Sequence, residues 1–231
     1  NQMIVNYRHL VPGMWYPGTL NKTSAAAFRW YRDILCEGEV AESKQIGKDV
    51  YAMLDEAAAV VPPGSDQLFF HPYLLGEAAP YADNNLRASF VGISAFHTKG
   101  HFSRAVMEGV CYSLRDSMEW LRSIGISPAS ANIIGGGARS GLWSQMTADI
   151  LNIPLTRTKT DDSSLGSAML AGVAVGAFRS FEHAVETCSK IDRIYMPNTE
   201  NVQLYNKNFQ YYKSIQRALS QLYTEMGTDA S

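Results

Sequence analysis

Three consecutive glycines, Gly135–Gly137, are the residues of this chain that most clearly indicate a functional site by their type and spacing. A β-branched run, Ile133 and Ile134, precedes them, and a helical pattern follows from Leu142. Glycines after a strand let the backbone turn sharply and approach a ligand closely. The start of a helix presents unpaired N–H groups and the positive end of its dipole, which favour phosphate. The stretch therefore predicts a nucleotide-phosphate site, and a tight turn without a ligand is the simpler alternative.

Two known phosphate motifs fit this stretch incompletely. It is not a Walker A loop, because no Gly-Lys-Ser/Thr follows the glycines. Gly135 and Gly137 fit a dinucleotide fingerprint, but Ser140 takes the place of its third glycine. Asp161 lies roughly 20 residues further on, where an acid would meet the ribose. Because such a fingerprint normally follows the first strand of its domain, a dinucleotide-binding domain is only an alternative.

Other groups of residues give weaker evidence for a functional site. His97 and His101 are four residues apart, a spacing that could hold zinc, but no further ligands complete a set, so we predict no metal site. The segment Gly92–Phe96 approaches a nucleophile elbow but lacks the closing glycine, which argues against a hydrolase. Three isolated histidines are predicted to be ordinary loop or surface groups: His9, His71 and His183.

Strands alternate with helices along the chain, which predicts an α/β fold. Turn residues, Pro12-Gly13 and Pro17-Gly18, predict a loop after the first strand. The predicted strands cover residues 3–8, 68–75, 88–93, 131–134 and 154–158. The predicted helices cover residues 23–35, 48–61, 101–124, 142–151, 165–178 and 201–226.

The helices are expected to bury one face each. In the first helix that face holds Phe28, Tyr31 and Leu35. In the long central helix it holds Val106, Val110, Leu114, Met118 and Leu121, and in the last helix Tyr205, Phe209, Tyr212, Gln216, Leu219 and Tyr223. Three glycines in the helix over 165–178 predict close approach of another backbone, either within the domain or at a joint between two domains.

Composition limits the class of protein. The 231 residues are 46% hydrophobic with a net charge of −2, enough for a full core and without the basic patch that nucleic-acid binding requires. No apolar run approaches the length of a membrane span, and no secretory leader opens the chain. Three widely spaced cysteines predict reduced thiols and a cytoplasmic protein. The chain begins inside a strand-like run, and we expect it to be cut from a longer protein.

Several segments, in order along the chain, carry a resemblance to a known family. Residues 88–93, followed after seven residues by 101–108, fit a signature of that family, and residues 135–140 resemble its nucleotide loop. Residues 165–168 and 170–172 are similar to its small-residue hinge helix, and 71–77 match a further segment. The family is that of the FGGY carbohydrate kinases, and the chain resembles its second domain, in the xylulokinase-like branch.

The resemblance implies a ribonuclease H-like, actin-like ATPase domain with a mixed sheet flanked by helices. It implies that residues 1–231 form a single domain, the C-terminal nucleotide-binding half of a two-domain sugar kinase whose N-terminal sugar-binding domain is absent. The implied reaction transfers the γ-phosphoryl group of ATP, with Mg²⁺ bound through the ATP, to the hydroxyl of a sugar, preferably a pentulose such as xylulose. The catalytic Asp is expected upstream of Asn1, so the fragment alone is expected to be inactive.

The resemblance also places the nucleotide contacts. It assigns them to seven residues: Gly136, Gly137, Ala138, Ser140, Gly141, Ala25 and Arg29. Ala25 and Arg29 stand where the family has Gly and Gln; Arg29 could pair with a phosphate or simply be solvated. Ala78 stands where many members carry Arg after Gly-Glu.

No carboxylate of this chain is assigned the catalytic role. Asp149 is expected to make a structural pairing and Glu77 to line the cleft, while Asp161 and Asp162 are placed to cap a helix. The expected partners are the sugar, ATP and the missing domain, with neither nucleic acid nor membrane. Self-association of the fragment, as a homodimer, is expected from an exposed cleft face. A non-catalytic actin-like nucleotide-binding module is the alternative function.

Overall fold

The computed structural model describes residues 5–160 and 163–227. The strands in these residues are β1 (Val5–Arg8), β2 (Trp15–Gly18), β3 (Phe69–His71), β4 (Ser89–Val91), β5 (Ala131–Ile133), β6 (Leu155–Thr158) and β7 (Ile191–Tyr195). The α-helices are α1 (Ser24–Leu35), α2 (Glu37–Ile46), α3 (Val50–Ala59), α4 (Lys99–Ser123), α5 (Gly141–Leu151), α6 (Ser163–Ala174), α7 (Phe181–Cys188) and α8 (Thr199–Gly227).

The strands form three small sheets. β1 pairs with β2 and β3 pairs with β4, both antiparallel. The third sheet has the order β5-β6-β7, with β5 parallel and β7 antiparallel to β6. Leu155 in β6 lies opposite Ala131 on one side and Tyr195 on the other. This sheet is mixed, as predicted, and β5 leads directly into the glycine turn.

The long helix α4 is the centre of the main core. It packs against α1, α3, α5 and β3, and most of its residues are buried. At Gly109 an added Cβ would lie 2.2 Å from the Phe70 carbonyl oxygen, so a glycine is needed for β3 to lie this close. Of the predicted stripe, Val106, Val110 and Met118 are buried, and the predicted aromatic stripe of α8 packs into the same region. No helix in the described part of the chain is both long and apolar enough to span a bilayer.

Several element predictions were wrong or incomplete. β2 was predicted to be part of a loop, and α2, α7 and β7 were not predicted. α2 buries no residue and β7 buries only Tyr195, so neither carries the hydrophobic period from which elements are recognised. The strand predicted over 68–75 ends at His71, because Pro72 follows and has no N–H for a sheet ladder. Leu35, predicted to face inward, is 41% exposed at the end of α1.

His71 was predicted to be a loop or surface group, and this was wrong. Its side chain is 0% exposed, stacks on the Tyr212 ring at 4.2 Å, and donates from Nε2 to the Tyr212 carbonyl at 3.1 Å. Burial lowers the pKa of His71 to about 4, against an ordinary value of 6.5. The side chain is therefore a neutral part of the core between β3 and α8.

His71 should make the folded chain sensitive to mild acid. Because its pKa is lower in the folded state, the unfolded chain binds more protons as the pH falls from 6.5 toward 4, and stability is lost in that window. We expect wild type to lose about 2 kcal/mol more than His71→Phe between pH 7 and pH 5, measured by urea unfolding. The variant keeps every other titrating group, so an equal loss in both proteins would contradict the prediction.

Candidate functional site

The glycine turn connects β5 to α5. Gly135 has a φ of +83°, a backbone conformation that glycine adopts without strain. Residues Gly136–Arg139 form a 3₁₀ turn, and the Ser140 side chain then caps α5 by accepting from the Trp143 N–H at 3.0 Å. The helix predicted from Leu142 begins at Gly141, directly after this 3₁₀ turn. Gly136 and Gly137 open the turn, where N–H groups have no partner within the helical ladder.

A cavity of about 610 Å³ lies between the glycine turn and two helices of the main core. It brings together five of the predicted nucleotide contacts: Ala25, Arg29, Gly136, Gly137 and Ser140. Its other lining residues are Phe28 from α1, Asp49, Tyr51, Ala52 and Asp55 at or in the first turns of α3, and Arg139 and Trp143. We call this space the α1–α3 cavity. The contribution of α3 to this cavity was not predicted from the sequence.

The two remaining predicted contacts do not line the α1–α3 cavity. Ala138 is fully buried, donates its N–H to the Gly135 carbonyl at 3.1 Å and accepts from Arg157 Nη1 at 2.9 Å. Gly141 is exposed at the first turn of α5. The backbone of Ala138 is thus already used inside the protein, and Gly136 and Gly137 are the glycines of the turn that border the cavity.

A second groove lies on the other side of the same turn. It has a volume of about 350 Å³ and is lined mainly by apolar residues of α4, α5 and β5. Ala25, Gly136 and Gly137 border both spaces. The glycine turn is therefore a thin wall with open space on two sides, and a Cβ built at Gly136 meets nothing within 4 Å.

Aromatic rings form one wall of the α1–α3 cavity. The Phe28 ring lies 5.3 Å from Trp143 and 5.9 Å from Tyr51, measured between ring centroids. Trp143 is held in place because its Nε1 donates to the Met107 carbonyl in α4 at 3.1 Å. Phe28 was predicted only as a core residue, and nothing in the sequence separated the two roles, since a buried face and a cavity wall have the same helical spacing.

The charges at the cavity are of both signs. Arg29 and Arg139 are exposed at its border, while Asp49 caps α3 by accepting from the Tyr51 N–H at 3.3 Å. Asp55 is half-buried on the face of α3 that lines the cavity. Burial raises the pKa of Asp55, and a hydrogen bond from the Ser140 hydroxyl acts in the opposite direction. The cavity thus combines aromatic side chains, two arginines and two carboxylates, of which Asp55 is half-buried.

The carboxylates considered from the sequence lie elsewhere. Glu77 was expected to line the cleft, but it is 1% exposed. It accepts from the backbone N–H groups of Lys22 and Ala78 at 2.9 and 2.8 Å and from the Asn21 and Ser113 side chains. Burial nevertheless raises the pKa of Glu77. Its role in the described chain is to fix the start of α1 against α4.

Asp149 makes the structural pairing that was expected of it. Its carboxylate accepts from Gln145 Nε2, the Asn198 N–H and Asn201 Nδ2, each at 2.8 Å, and so ties α5 to the start of α8. Asp161 and Asp162 lie outside the described residues. Within residues 5–160 and 163–227, no group of three or more His, Cys, Asp and Glu side chains could hold a metal ion. His101 instead bonds to Asp66 at 3.1 Å and caps the start of α4.

Comparisons with known proteins identify the family of this chain. Residues 4–175 match the C-terminal domain of the FGGY family of carbohydrate kinases. A xylulose kinase of Staphylococcus epidermidis is 36% identical over 223 residues, which are 96% of this chain and 43% of that protein. A gluconokinase of Bacillus licheniformis is 34% identical over 94% of this chain and 42% of that protein.

The fold agrees as well. A crystal structure of ligand-bound xylulose kinase from Lactobacillus acidophilus superposes with a TM-score of 0.78 at 30% identity, over 92% of this chain and 41% of that one. The predicted actin-like α/β fold is therefore confirmed, and the chain spans less than half the length of the relatives that it matches. By its sequence and its fold, this chain belongs to the FGGY family of carbohydrate kinases and corresponds to their C-terminal domain.

Proposed function

We propose that this chain is the nucleotide-binding half of an ATP-dependent sugar kinase, which transfers the γ-phosphoryl group of ATP to a sugar hydroxyl. The observation that carries the proposal is the α1–α3 cavity. Residues assigned to nucleotide from separate parts of the sequence, Ala25 and Arg29 on α1 and Gly136 and Gly137 in the turn, border one space. Ser140 at the start of α5 borders the same space.

The residues of the cavity fit a nucleoside triphosphate. Phe28 and Trp143, whose rings are inclined by 60°, give the cavity an apolar aromatic border for a base. The open glycine turn permits close approach of phosphates to main-chain amides. Arg29 and Arg139 supply positive charge, and an arginine can bind phosphate through two parallel hydrogen bonds. Mg²⁺ would arrive bound to the ATP and offset the charge of the phosphates.

Phosphoryl transfer depends mainly on positioning and charge stabilisation, together with a carboxylate that accepts the hydroxyl proton. Glu77 and Asp149, the described carboxylates considered for that role, are engaged in structural hydrogen bonds. We therefore assign the proton acceptor and most of the sugar site to an N-terminal domain that precedes this region. Relatives named for xylulose and gluconate support a sugar or sugar-acid substrate, and a pentulose is the preferred one. A cytoplasmic location and a homodimer stay predictions.

Binding and turnover test the proposal separately. The chain should bind ADP and Mg-ATP in isothermal titration calorimetry, in preference to NAD, and the full-length protein should phosphorylate xylulose in a coupled ADP-release assay. Gluconate and glycerol serve as comparison substrates. A full-length protein that binds ATP but phosphorylates no sugar would contradict the kinase and favour a non-catalytic module. A clear preference for NAD would instead favour a dinucleotide-binding domain.

A further inference from the structure

The start of α1 is held by another loop rather than by its own cap. The helix begins at Ser24, and the side chain of its N-cap residue, Thr23, makes no capping hydrogen bond. The Thr23 hydroxyl donates to the Pro72 carbonyl instead. Ser24 and Ala25 border the groove beside the glycine turn, and Ala25 also borders the α1–α3 cavity. The position of this first turn therefore depends on what holds the segment before it.

The carboxylate of Glu77 holds that segment. One of its oxygens accepts from the Lys22 N–H at 2.9 Å, and the other accepts from Asn21 Nδ2 at 3.2 Å. The Asn21 amide also donates to the Ser113 hydroxyl at 2.8 Å and accepts from the Ser117 hydroxyl at 3.3 Å, both in α4. Two consecutive residues before α1 are thus bound to Glu77, and one of them is bound to the central helix as well.

The loop that carries Glu77 is closed by its own backbone. Glu77 and Asp83 exchange two backbone hydrogen bonds, at 2.8 and 2.9 Å. A Cβ added at Gly76 would lie 2.7 Å from the Asp83 carbonyl oxygen, so the two sides of the loop are in close contact. The Ala79 N–H donates to the Leu20 carbonyl at 3.1 Å and joins the loop to the chain before α1 a second time. Glu77 therefore has a fixed base from which it binds this segment.

The hydrogen bonds of Glu77 depend on its charge. The four groups that bind its carboxylate are donors: the N–H groups of Lys22 and Ala78, the Asn21 amide and the Ser113 hydroxyl. An ionised carboxylate only accepts, whereas a protonated carboxyl or a glutamine carries hydrogen at one of these positions and sets a donor against a donor. Burial raises the pKa of Glu77, and the four donors act in the opposite direction.

We propose that Glu77 is a positioning residue for nucleotide binding, which fixes the first turn of α1 where this turn and the glycine turn border the same space. This inference rests on the proposed function. Ala25 in that turn borders both the α1–α3 cavity and the groove, as Gly136 and Gly137 do. Misplacing a binding group by about 1 Å can cost on the order of 100-fold in rate, so a small shift of α1 matters. Glu77 is 1% exposed and acts through the backbone that it holds.

Calorimetry with ADP on the full-length protein tests this inference. Glu77→Gln keeps the size of the side chain and removes its charge, and we expect it to bind ADP about fivefold or more weakly than wild type at pH 8. Asp149→Asn is the matched control. Asp149 is 2% exposed and accepts three hydrogen bonds at 2.8 Å, but it joins α5 to α8 and lines neither space. Its replacement should lower stability and leave the ADP affinity unchanged.

The pH profile of ADP affinity separates positioning from a general loss of stability. Glu77 binds its donors only when ionised, so wild-type affinity should be lost as the pH falls toward its raised pKa, and Glu77→Gln has no such titration. The ratio of the two affinities should therefore fall toward one below pH 8, while circular dichroism shows both proteins folded. Ionisation of ADP and of the neighbouring groups is common to both proteins. These groups are Tyr73 and Asp83 near Glu77 in sequence, Lys22 before α1, Asp116 in α4 and Tyr212 in α8.

Asn21→Ala serves if Glu77→Gln does not fold. It removes one donor and keeps the Lys22 N–H bond, so its loss of ADP affinity should be smaller and should still exceed that of Asp149→Asn. Equal ADP affinities of wild type and Glu77→Gln, a ratio independent of pH, or an equal loss in Asp149→Asn would overturn the inference and leave the proposed function intact. Wild type that binds no ADP would overturn the proposed function together with this inference.

Discussion

Glu108→Ala is expected to lower the free energy of unfolding by about 3–5 kcal/mol, the range that is typical when one partner of a buried ion pair is removed. Glu108 is 2% exposed and accepts from Arg104 Nε at 2.8 Å within α4. It also accepts from the Gly64 N–H and the Ser65 hydroxyl, both at 2.9 Å, and from the Tyr205 hydroxyl at 2.8 Å. The variant would leave the Arg104 guanidinium buried without its carboxylate.

The position of Glu108 explains why the effect should be global. Its carboxylate joins the loop after α3, the central helix α4 and the C-terminal helix α8. Loss of the carboxylate therefore weakens the packing of α3, on which Tyr51 and Asp55 reach the cavity. Urea unfolding followed by circular dichroism would measure the change.

Two further variants show how much of this loss of stability comes from the charge of Glu108 and how much from its burial. Glu108→Gln keeps the shape and an acceptor oxygen but removes the charge, so its loss of stability should lie between wild type and the alanine variant. Glu56→Ala removes a carboxylate from the exposed Lys48–Glu56 pair and should cost less than about 1 kcal/mol. A loss for Glu108→Ala as small as that for Glu56→Ala would show that the buried network contributes little to stability.

Gly136→Val is expected to weaken ADP binding at least tenfold, which corresponds to about 1.4 kcal/mol of binding free energy. A Cβ at this position meets no protein atom within 4 Å, so the fold has room for the side chain. That room is the open space on both sides of the glycine turn. The valine would occupy the volume that we assign to the nucleotide and keep the phosphates away from the main-chain amides.

Gly38→Val is the control for this variant. Gly38 also has open space around its Cβ position, but it lies in α2, away from the lining of the cavity. Both variants should change the free energy of unfolding by less than about 1 kcal/mol, the usual range for glycine replacements without a steric clash. Calorimetry would measure the affinity of each protein for ADP. Equal affinities for wild type, Gly136→Val and Gly38→Val would show that the glycine turn is not part of the nucleotide site.

The sequence could predict the elements that carry a strong local pattern. α4, α5 and α8 were found close to their observed bounds, because a buried helix face recurs every three to four residues whatever packs on it. The strand leading into Gly135–Gly137 was found for a similar reason, since β-branched residues and glycines mark a strand and its end. α2 and β7 were missed because they are largely exposed and carry no such period.

The candidate site also has features that could be predicted from the sequence and features that could not. The family and the glycine turn could be recognised from the amino-acid sequence, because these depend on residue types and short spacings within continuous segments. Long-range packing was needed to show that Asp55 lines the same cavity as Ser140, that Glu77 is buried and that His71 stacks on Tyr212. A periodic pattern tells which face of an element is apolar, but not which distant segment covers it. Contacts between distant segments arise only when the whole core packs, and these contacts form the α1–α3 cavity.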